Sequence, residues 1–465
     1  MRFAIVSYQA DSSGLAYALA KEDNQIFYWV EKNYRFLENV RNITHERGIK
    51  LQTFLGRHAT DYIIFDGQEY GNIETQLRKE QNMKIIGSSL LGYKLEKDRV
   101  LQYKIAKYLN VRMPETFVFS DIDEAIKFLK KEKTAFIMKQ NGNLPKDFNY
   151  KSFMPDNYDL ILHLEALKKR YPKIAGNFVL QRVVEGVEVA TSGFYTPFGW
   201  LKGENGRVLL EINFEHKSLL EGDRGIATGE MGTLAWFSEG ENRIFTEMVK
   251  PLEPLLLKFM NWGNVDANCI VDENGDLYLL EWTIRFGYPI TDLYIELTPS
   301  ITDFILSLYT GQPAKVYQFP TIGIVWVLGF PVFPYEKAKG RIESFLEERL
   351  IFTDKSVMKH FHPAFVSWDN ENKTWYISDV YGYAGTITAK GEDIERVMRR
   401  GVKMIESIIP SKKGFYRRDI GERVVKALKK DYVWEVILTD MQSKAEQSKA
   451  KEEVEKLSNL VQKSS

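Results

Sequence analysis

The sequence predicts a multidomain protein of mixed α/β and α+β class, with a doubly wound parallel sheet at the N-terminus and a mixed β domain at the C-terminus. In residues 1–110, short strand-like runs alternate with stretches of helical spacing, which is the pattern of strand–helix–strand units. Over 177–215, by contrast, strand-like runs follow one another directly, as in antiparallel hairpins. An Asn274-Gly275 pair joins two further apolar runs and predicts another hairpin.

The elements follow in chain order. In the N-terminal part we expect strands at Phe3–Tyr8, Ile26–Val30, Leu51–Phe54, Tyr62–Phe65 and Lys84–Ile86, and helices at Ser13–Ala20 and Glu74–Glu80. Beyond two helices within 94–131, we expect strands at Phe117–Phe119, Ala135–Lys139, Phe178–Val184, Glu188–Tyr195, Arg207–Phe214, Val265–Val271 and Leu277–Trp282, and a helix at 241–260. Residues 320–430 are a further mixed segment. Residues 441–465 lack Gly, Pro and aromatics, and predict a solvated helix or, less simply, a partner-binding helix.

Composition excludes several classes of protein. Lys+Arg and Asp+Glu are both 63, so no excess charge favours nucleic acid or an anionic membrane. With 44% hydrophobic residues the chain is too apolar to be disordered. The single cysteine, Cys269, excludes an internal disulfide and a thiolate zinc site. The N-terminus shows no signal-peptide pattern and no apolar run is long enough to span a bilayer, so we expect a cytoplasmic protein.

A glycine-rich stretch follows a cluster of polar residues at 215–218. Gly222, Gly225, Gly229 and Gly232 leave backbone N–H groups open to the oxygens of a ligand, and His216 and Lys217 bring further donors. Taken alone, the four glycines favour a flexible surface loop with two solvated charges.

Two strand ends carry oxygen donors. Glu281 and Thr283 are two residues apart and share a face, as do Asp266 and Asn268 on the preceding strand. Mg²⁺ accepts such a set because it takes few protein ligands and keeps waters. A charged strand end without a ligand is the alternative.

A lysine at a strand end provides the third signal. Lys139 ends an apolar strand and Arg99 lies upstream, and paired cations at the edge of a sheet suit the phosphates of a nucleotide. Taken alone, the two residues favour solvated basic side chains. Neither a dinucleotide fingerprint nor a P-loop occurs in the sequence.

In their order along the chain these pieces resemble the ATP-grasp superfamily. The stretches Glu215–Gly232 and Glu281–Gly287 look like glycinamide ribonucleotide synthetase, the phosphoribosylamine–glycine ligase of purine biosynthesis. Thr228-Gly229-Glu230-Met231-Gly232 and Arg417-Arg418-Asp419-Ile420-Gly421 are the most specific matches, with support from Gly329-Phe330-Pro331. The resemblance covers about residues 1–430. It implies an N-terminal domain at 1–92, an ATP-grasp domain at 93–318 with a small lobe near 115–185, a C-terminal domain at 319–432 and a tail at 433–465.

The resemblance also implies roles for individual residues. It assigns Arg99, Lys139, Gln181 and Glu188 to ATP, Glu281, Thr283 and Asn268 to Mg²⁺, and Asp223, Gly225, Thr228, Gly229, Met231, Gly232 and Arg285 to the substrates. The catalytic set that it implies is Lys139, Arg285, His216 and Lys217. The implied cofactors are ATP and Mg²⁺, and the implied partners are small molecules, an amino acid and an amine, with the chain as a monomer or homodimer and no nucleic acid or membrane.

Several positions depart from the family pattern. Thr283 stands where the family has asparagine, and Gln181 where it usually has glutamate. The phosphate-facing turn near the N-terminus is Ala10-Asp11-Ser12-Ser13-Gly14, and a C-terminal glycine turn is Tyr381-Gly382-Tyr383-Ala384. We therefore expect an ATP-dependent carboxylate–amine ligase that forms an acyl phosphate, with phosphoribosylamine and glycine as the first substrate pair. The alternatives are a ligase of the same fold for another amino acid and amine, and a degenerate protein without catalysis.

Overall fold

The structure is a computed structural model that describes residues 1–440 except 68, 82, 143, 145–147, 174–175, 332, 335–344, 381 and 410–413. The tail predicted from the composition of 441–465 lies outside the described residues, as does part of the loop at 140–147. Within the described residues, no helix is long and apolar enough to cross a membrane.

The N-terminal part is a five-stranded, fully parallel sheet in the order β3-β2-β1-β4-β5, as the alternating pattern predicts. Its elements are β1 Arg2–Ser7, α1 Ser13–Lys21, β2 Gln25–Val30, β3 Ile43–Arg47, α2 Leu51–Arg57, β4 Tyr62–Phe65, α3 Gly71–Gln81 and β5 Ile85–Ile86. The central strand β1 is buried over Phe3–Ser7, because helices cover both faces of a doubly wound sheet.

One strand prediction here is wrong. Leu51–Phe54 begins helix α2, where Leu51 and Phe54 are buried at helical spacing. The third strand is instead Ile43–Arg47, which is polar because it lies at the edge of the sheet with no fully buried residue.

A small lobe follows two linking helices, α4 Leu90–Lys97 and α5 Arg99–Tyr108. Its elements are β6 Thr116–Phe119, α6 Ile122–Leu129, β7 Phe136–Lys139, β8 Tyr150–Lys151, α7 Tyr158–Arg170 and β9 Phe178–Arg182, with the sheet in the order β6-β9-β7-β8. Helices α6 and α7 bury their apolar faces in a separate hydrophobic core under this sheet. Strand β9 therefore pairs within the small lobe, and the expected hairpin of Phe178–Val184 with the next strand does not form.

The body of the molecule is one nine-stranded sheet in the order β17-β16-β10-β12-β15-β18-β23-β20, with β11 paired to β10. Its first part comprises β10 Val187–Thr196, β11 Gly199–Trp200, β12 Leu209–Glu215, β13 Ser218–Leu220, β14 Arg224–Ala227, β15 Gly232–Glu239, α8 Glu253–Lys258, β16 Gly263–Val271, β17 Leu277–Thr283, α9 Ile290–Leu297 and α10 Ile301–Thr310, with β13 and β14 forming a hairpin outside the sheet. The helix expected at 241–260 is broken into a π turn, a 3₁₀ turn and α8, and Pro251 and Pro254 lie where the segments change.

The C-terminal part continues this sheet. Its elements are β18 Ile322–Gly329, β19 Arg349–Phe352, β20 Phe361–Pro363, β21 Val366–Asp369, β22 Thr374–Ile377, β23 Tyr383–Gly391, α11 Ile394–Glu406, β24 Ile408–Ile409, α12 Glu422–Ala427 and α13 Asp431–Ile437. Because β15 pairs with β18, the boundary predicted at 318/319 falls inside one sheet. Helix α13 buries Val433 and Trp434, so the predicted start of the tail at 433 falls within a packed helix. The domain limits themselves stay predictions.

Candidate active site

Glu281 lies at the centre of a cluster of ion pairs on the large sheet. The Arg99 guanidinium, at the first turn of α5, approaches a Glu281 carboxylate oxygen at 2.6 Å. Lys217 Nζ lies 3.3 Å from the other oxygen. Arg99 is the main reason that the pKa of Glu281 is held well below its usual range, so this carboxylate is ionised across the physiological range.

Lys217 connects Glu281 to two more carboxylates. Its Nζ lies 3.0 Å from Glu215 and 3.2 Å from Glu188. Burial opposes the charged form, but Glu215, Glu188 and Glu281 together raise the pKa of Lys217 well above its ordinary value. We call Arg99, Glu188, Glu215, Lys217 and Glu281 the ion-paired cluster. Glu215 was not among the site residues predicted from the sequence, although it begins the glycine-rich stretch.

Lys139 brings a further cation from the small lobe. It lies close enough to Arg99, Glu281, Lys217 and Glu188 for their charges to act on it, and burial followed by Arg99 lowers its pKa to about 8. In the small sheet, Ile137 pairs with Gln181 and Lys139 with Val179, so Gln181 and Lys139 share a face. The Gln181 amide nitrogen donates to Thr116 Oγ1 at 3.1 Å. Lys139 of the small lobe thus lies near Arg99 and Glu188, two more of the predicted nucleotide residues.

A groove of about 990 Å³ opens between the small lobe and the large sheet. It is lined by the connecting segment 183–187, Glu188, Phe214 and Ile270, and on its far side by Arg423 and Lys426 of α12. Its volume lies within the range of small-molecule sites. The cations of α12 were missed from sequence because they lie about 200 residues from the strands they face.

The predicted metal ligands lie on adjacent strands. Asn268 pairs with Glu281 and Asp266 with Thr283 between β16 and β17. Asn268 donates to Glu215 at 2.8 Å, and its amide oxygen is buried without a partner. That free oxygen, the Glu281 carboxylate and the Thr283 hydroxyl are the hard oxygen donors that Mg²⁺ accepts, so the residues fit this ion. The described residues contain no group of three His, Cys, Asp or Glu that could hold a metal. An ion here would therefore need phosphate and water oxygens as well.

The glycine-rich hairpin β13–β14 is fastened to the C-terminal part. Asp223 at its turn is 2.9 Å from Arg417 Nη1 and 3.3 Å from Arg423 Nη1. Arg417 is only 1% exposed and also pairs with Asp419 at 2.6 Å. The stretches Glu215–Gly232 and Arg417–Gly421, which both resemble the ligase family, are therefore in contact. Gly329 and Phe415 are also in contact and exchange backbone hydrogen bonds of 2.8 and 2.9 Å.

His216 lies away from the ion-paired cluster. Its ring is fully buried, its Nε2 accepts from the Gly421 backbone N–H at 3.4 Å, and burial lowers its pKa to about 3. It is therefore neutral at physiological pH and joins the hairpin to the C-terminal segment. Its catalytic assignment stays a prediction.

The remaining loop residues divide into two groups. Gly225 and Gly229 are exposed, and Thr228 donates to the Lys217 carbonyl through both its N–H (2.8 Å) and its hydroxyl (2.9 Å). Met231 and Gly232 are buried in the sheet. At Gly232, with φ +156°, a Cβ would lie 2.4 Å from the Val325 carbonyl oxygen, so only glycine fits there. The structure thus gives Met231 and Gly232 packing contacts, and their substrate roles stay predictions.

Arg285 lies at the junction with the N-terminal part. Its Nε is 3.1 Å from Glu96 and its Nη1 donates to the Phe286 carbonyl at 2.9 Å. Asp11 also acts on it electrostatically and accepts a hydrogen bond from Tyr383 at 2.8 Å. Asp11 and Tyr383, one from each of the two altered turns of the sequence, therefore meet beside Arg285.

Buried acids extend from this site into the large sheet, and sequence reasoning missed most of them. Burial, followed by Asp266, raises the pKa of Glu211 to about 8. Burial, followed by Glu215, raises the pKa of Asp266 to about 7 and that of Glu230 well above its usual range. Their alternation along the strands was visible in the sequence, but their burial was not.

A sequence model described as phosphoribosylglycinamide synthetase, ATP-grasp (A) domain, matches residues 98–291. The chain thus carries that ATP-grasp domain and is a distant homologue of phosphoribosylamine–glycine ligases.

Individual relatives support that statement. The phosphoribosylamine–glycine ligase of Fusobacterium nucleatum is 22% identical over 408 residues, which are 83% of this chain and 89% of the relative. The same ligase from Thermotoga maritima is 31% identical over 163 residues, 32% of this chain and 38% of the relative. Its crystal structure aligns with a TM-score of 0.66 at 17% identity, covering 90% of this chain and all of that one. N5-carboxyaminoimidazole synthetase from Staphylococcus aureus, complexed with ADP, aligns at 0.54 and 12% identity, covering 87% and 97%.

Proposed function

We propose that the protein is an ATP-dependent carboxylate–amine ligase that works through an acyl phosphate. One observation carries the proposal: the charged groups of Lys139 from the small lobe, Arg99 from α5 and Glu188, Lys217 and Glu281 on or beside the large sheet come together. These charges belong to three separate parts of the fold. The adjoining groove, which Glu188 also lines, has a volume in the range of small-molecule sites.

The residues of the chain align the reactants and neutralise the negative charge of the phosphates. In the first step a carboxylate oxygen of the substrate attacks the γ-phosphorus of ATP and ADP leaves. In the second, an amine nitrogen attacks the acyl carbon, phosphate leaves and the amine loses a proton. Lys139 and Arg99 offset the charge on the phosphates, and the lobes and hairpin hold the reactants in line and exclude water. Mg²⁺, which Glu281, Thr283 and Asn268 would hold, supplies further charge neutralisation on the phosphate oxygens.

Homology makes phosphoribosylamine and glycine the first substrate pair to test. A second candidate, a ligase for another amino acid and amine, is favoured by a specific observation. Where the family's phosphate-facing turn stands, this chain presents Asp11, and burial is the main cause that raises the pKa of nearby Asp66 to about 7. Buried acids are poor neighbours for a phosphate.

The proposal is tested by ADP formation from Mg·ATP over a panel of amino acids and amines that includes glycine with phosphoribosylamine. We expect ADP release that requires both substrates together. The Glu281→Gln variant provides the active-site control. If no pair in the panel stimulates ADP release while the protein still binds Mg·ADP, the degenerate, non-catalytic alternative replaces the ligase.

A further inference from the structure

A buried line of polar side chains lies on the same face of the large sheet as Glu281. We call it the polar stripe, and its members are Ser192 on β10, Glu211 and Asn213 on β12, and Asp266 and Asn268 on β16. Strand register places them together, because Ser192 pairs with both Glu211 and Asp266, and Ala190 pairs with both Asn213 and Asn268. Each is at most 5% exposed. The stripe ends at Asn268, which pairs with Glu281.

Hydrogen bonds within the stripe leave acceptors without donors. Asp266 Oδ1 accepts from Ser192 at 2.8 Å and from Asn213 at 3.2 Å. Glu211 Oε2 accepts from Asn213 and from the Tyr294 hydroxyl, each at 3.3 Å. The oxygens left without a partner are Asp266 Oδ2, Glu211 Oε1, Asn213 Oδ1 and Asn268 Oδ1.

Both amide side chains of the stripe already use their nitrogen on a carboxylate, since Asn268 donates to Glu215 at 2.8 Å. Lys217, whose charge acts on Asp266, is held by three other carboxylates. Buried acceptors without donors are costly, so the stripe, with its carboxyl groups ionised, is complementary to a group that only donates.

A primary ammonium group has that chemistry, with three donors and no acceptor. A phosphate offers mainly acceptors and negative charge, which the two carboxyl groups would oppose. A metal ion would need ligands from outside the protein, because the described residues contain no group of three His, Cys, Asp or Glu that could hold one.

We propose that the polar stripe binds a primary ammonium group of the substrate, and that the substrate carries no phosphate at that end. This inference rests on the proposed function, because the stripe leads to Glu281 and so places the rest of the molecule in the ligase site. The ammonium belongs either to a diamine or to an amino acid, and the two sources are separated by experiment.

The experiment is calorimetric titration of the full chain in the presence of Mg·ADP. The probes are 1,4-diaminobutane with 1,4-butanediol as its uncharged match, 4-aminobutanoate with 4-hydroxybutanoate, and ribose 5-phosphate. We expect one ammonium probe to bind at least about tenfold more tightly than its hydroxyl match, and ribose 5-phosphate not to compete. Equal binding of both members of each pair, no binding by either ammonium probe, or displacement by ribose 5-phosphate overturns the inference.

A variant locates the bound group. Asp266→Asn should weaken the ammonium probe by about tenfold or more while Mg·ADP affinity stays within about twofold. Unchanged probe binding in a folded variant contradicts the assignment. Mn²⁺ binding that the wild type shows and the variant lacks also contradicts it, because Asp266 would then be a metal ligand. If the variant does not fold, the paired probes on the wild type still decide. ADP release driven by phosphoribosylamine would contradict this inference and support the proposed ligase activity. Binding of an ammonium probe without any turnover would support this inference and contradict the ligase activity.

Discussion

The ion-paired cluster and the polar stripe lie on one face of the same sheet, yet they solve the problem of buried charge in opposite ways. Around Glu281 every carboxylate has a cation within 3.3 Å, and the pKa of Glu281 falls. In the stripe, acceptors outnumber donors and, mainly through burial, the pKa values of Glu211 and Asp266 rise. A cluster of paired charges is organised before a ligand arrives, whereas a group of acceptors without donors gains most when a cationic ligand binds.

The largest effect on turnover should come from removing the charge of Glu281, at the centre of the ion-paired cluster. Glu281→Gln leaves Arg99 and Lys217 facing a neutral amide and removes the central metal ligand, so we expect turnover to fall by about 10²–10³, or about 3–4 kcal/mol. ADP formation under saturating Mg·ATP measures it. Glu273→Gln, in the exposed turn after β16, is the matched control and should be unchanged. Wild-type turnover in Glu281→Gln would remove this carboxylate from the chemistry.

The pH dependence of Mg·ADP affinity tests whether Lys139 acts together with the ion-paired cluster. Its pKa is lowered to about 8, by burial first and then by Arg99 and Lys217, against the opposing pull of Glu281 and Glu188. Because the cation is lost as pH rises through that value, Mg·ADP affinity should weaken by up to about tenfold between pH 7 and 9.

Lys139→Arg supplies the comparison, since arginine stays charged over this range. Its Mg·ADP affinity, measured by calorimetry, should be nearly flat from pH 7 to 9. A wild-type profile as flat as that of the variant would place Lys139 away from the phosphates.

Sequence reasoning reached the cluster better than the stripe, for a physical reason. Glu281 and Lys139 end apolar strands, and that signal is local. Glu211 and Asp266 alternate with apolar residues just as solvent-facing side chains do. Their pattern therefore shows that they share a face of the strand, but it does not show that another element covers this face. Tyr294 of α9 contacts the face only in the folded structure. The same limit explains Leu51–Phe54, whose apolar residues suit a short strand as well as the helix that forms.

Neutral substitutions in the polar stripe and in the ion-paired cluster should change the free energy of unfolding in opposite directions. Asp266→Asn replaces an oxygen that lacks a donor by a nitrogen that supplies one, so the ligand-free variant should be more stable than the wild type by about 1 kcal/mol. Urea unfolding at constant pH measures the difference. Glu281→Gln, treated in the same way, should be less stable because it leaves Arg99 without its carboxylate partner, whereas Lys217 keeps Glu215 and Glu188. Destabilisation of both variants alike would show that the stripe is satisfied without a ligand.

The smallest effect concerns Thr283, which pairs with Asp266 where the stripe meets the metal position. Its hydroxyl is a shorter donor than the asparagine expected from the family, so Thr283→Asn should bring a carbonyl oxygen closer to the ion and raise turnover by about two- to fivefold. Thr283→Val keeps the shape and removes the oxygen, and should lower turnover. The measurement is ADP formation as a function of Mg²⁺ concentration, because a true ligand shifts the Mg²⁺ dependence as well as the rate. If both variants follow the wild-type Mg²⁺ curve, Thr283 supports the strand only, and the ion relies on Glu281 and Asn268.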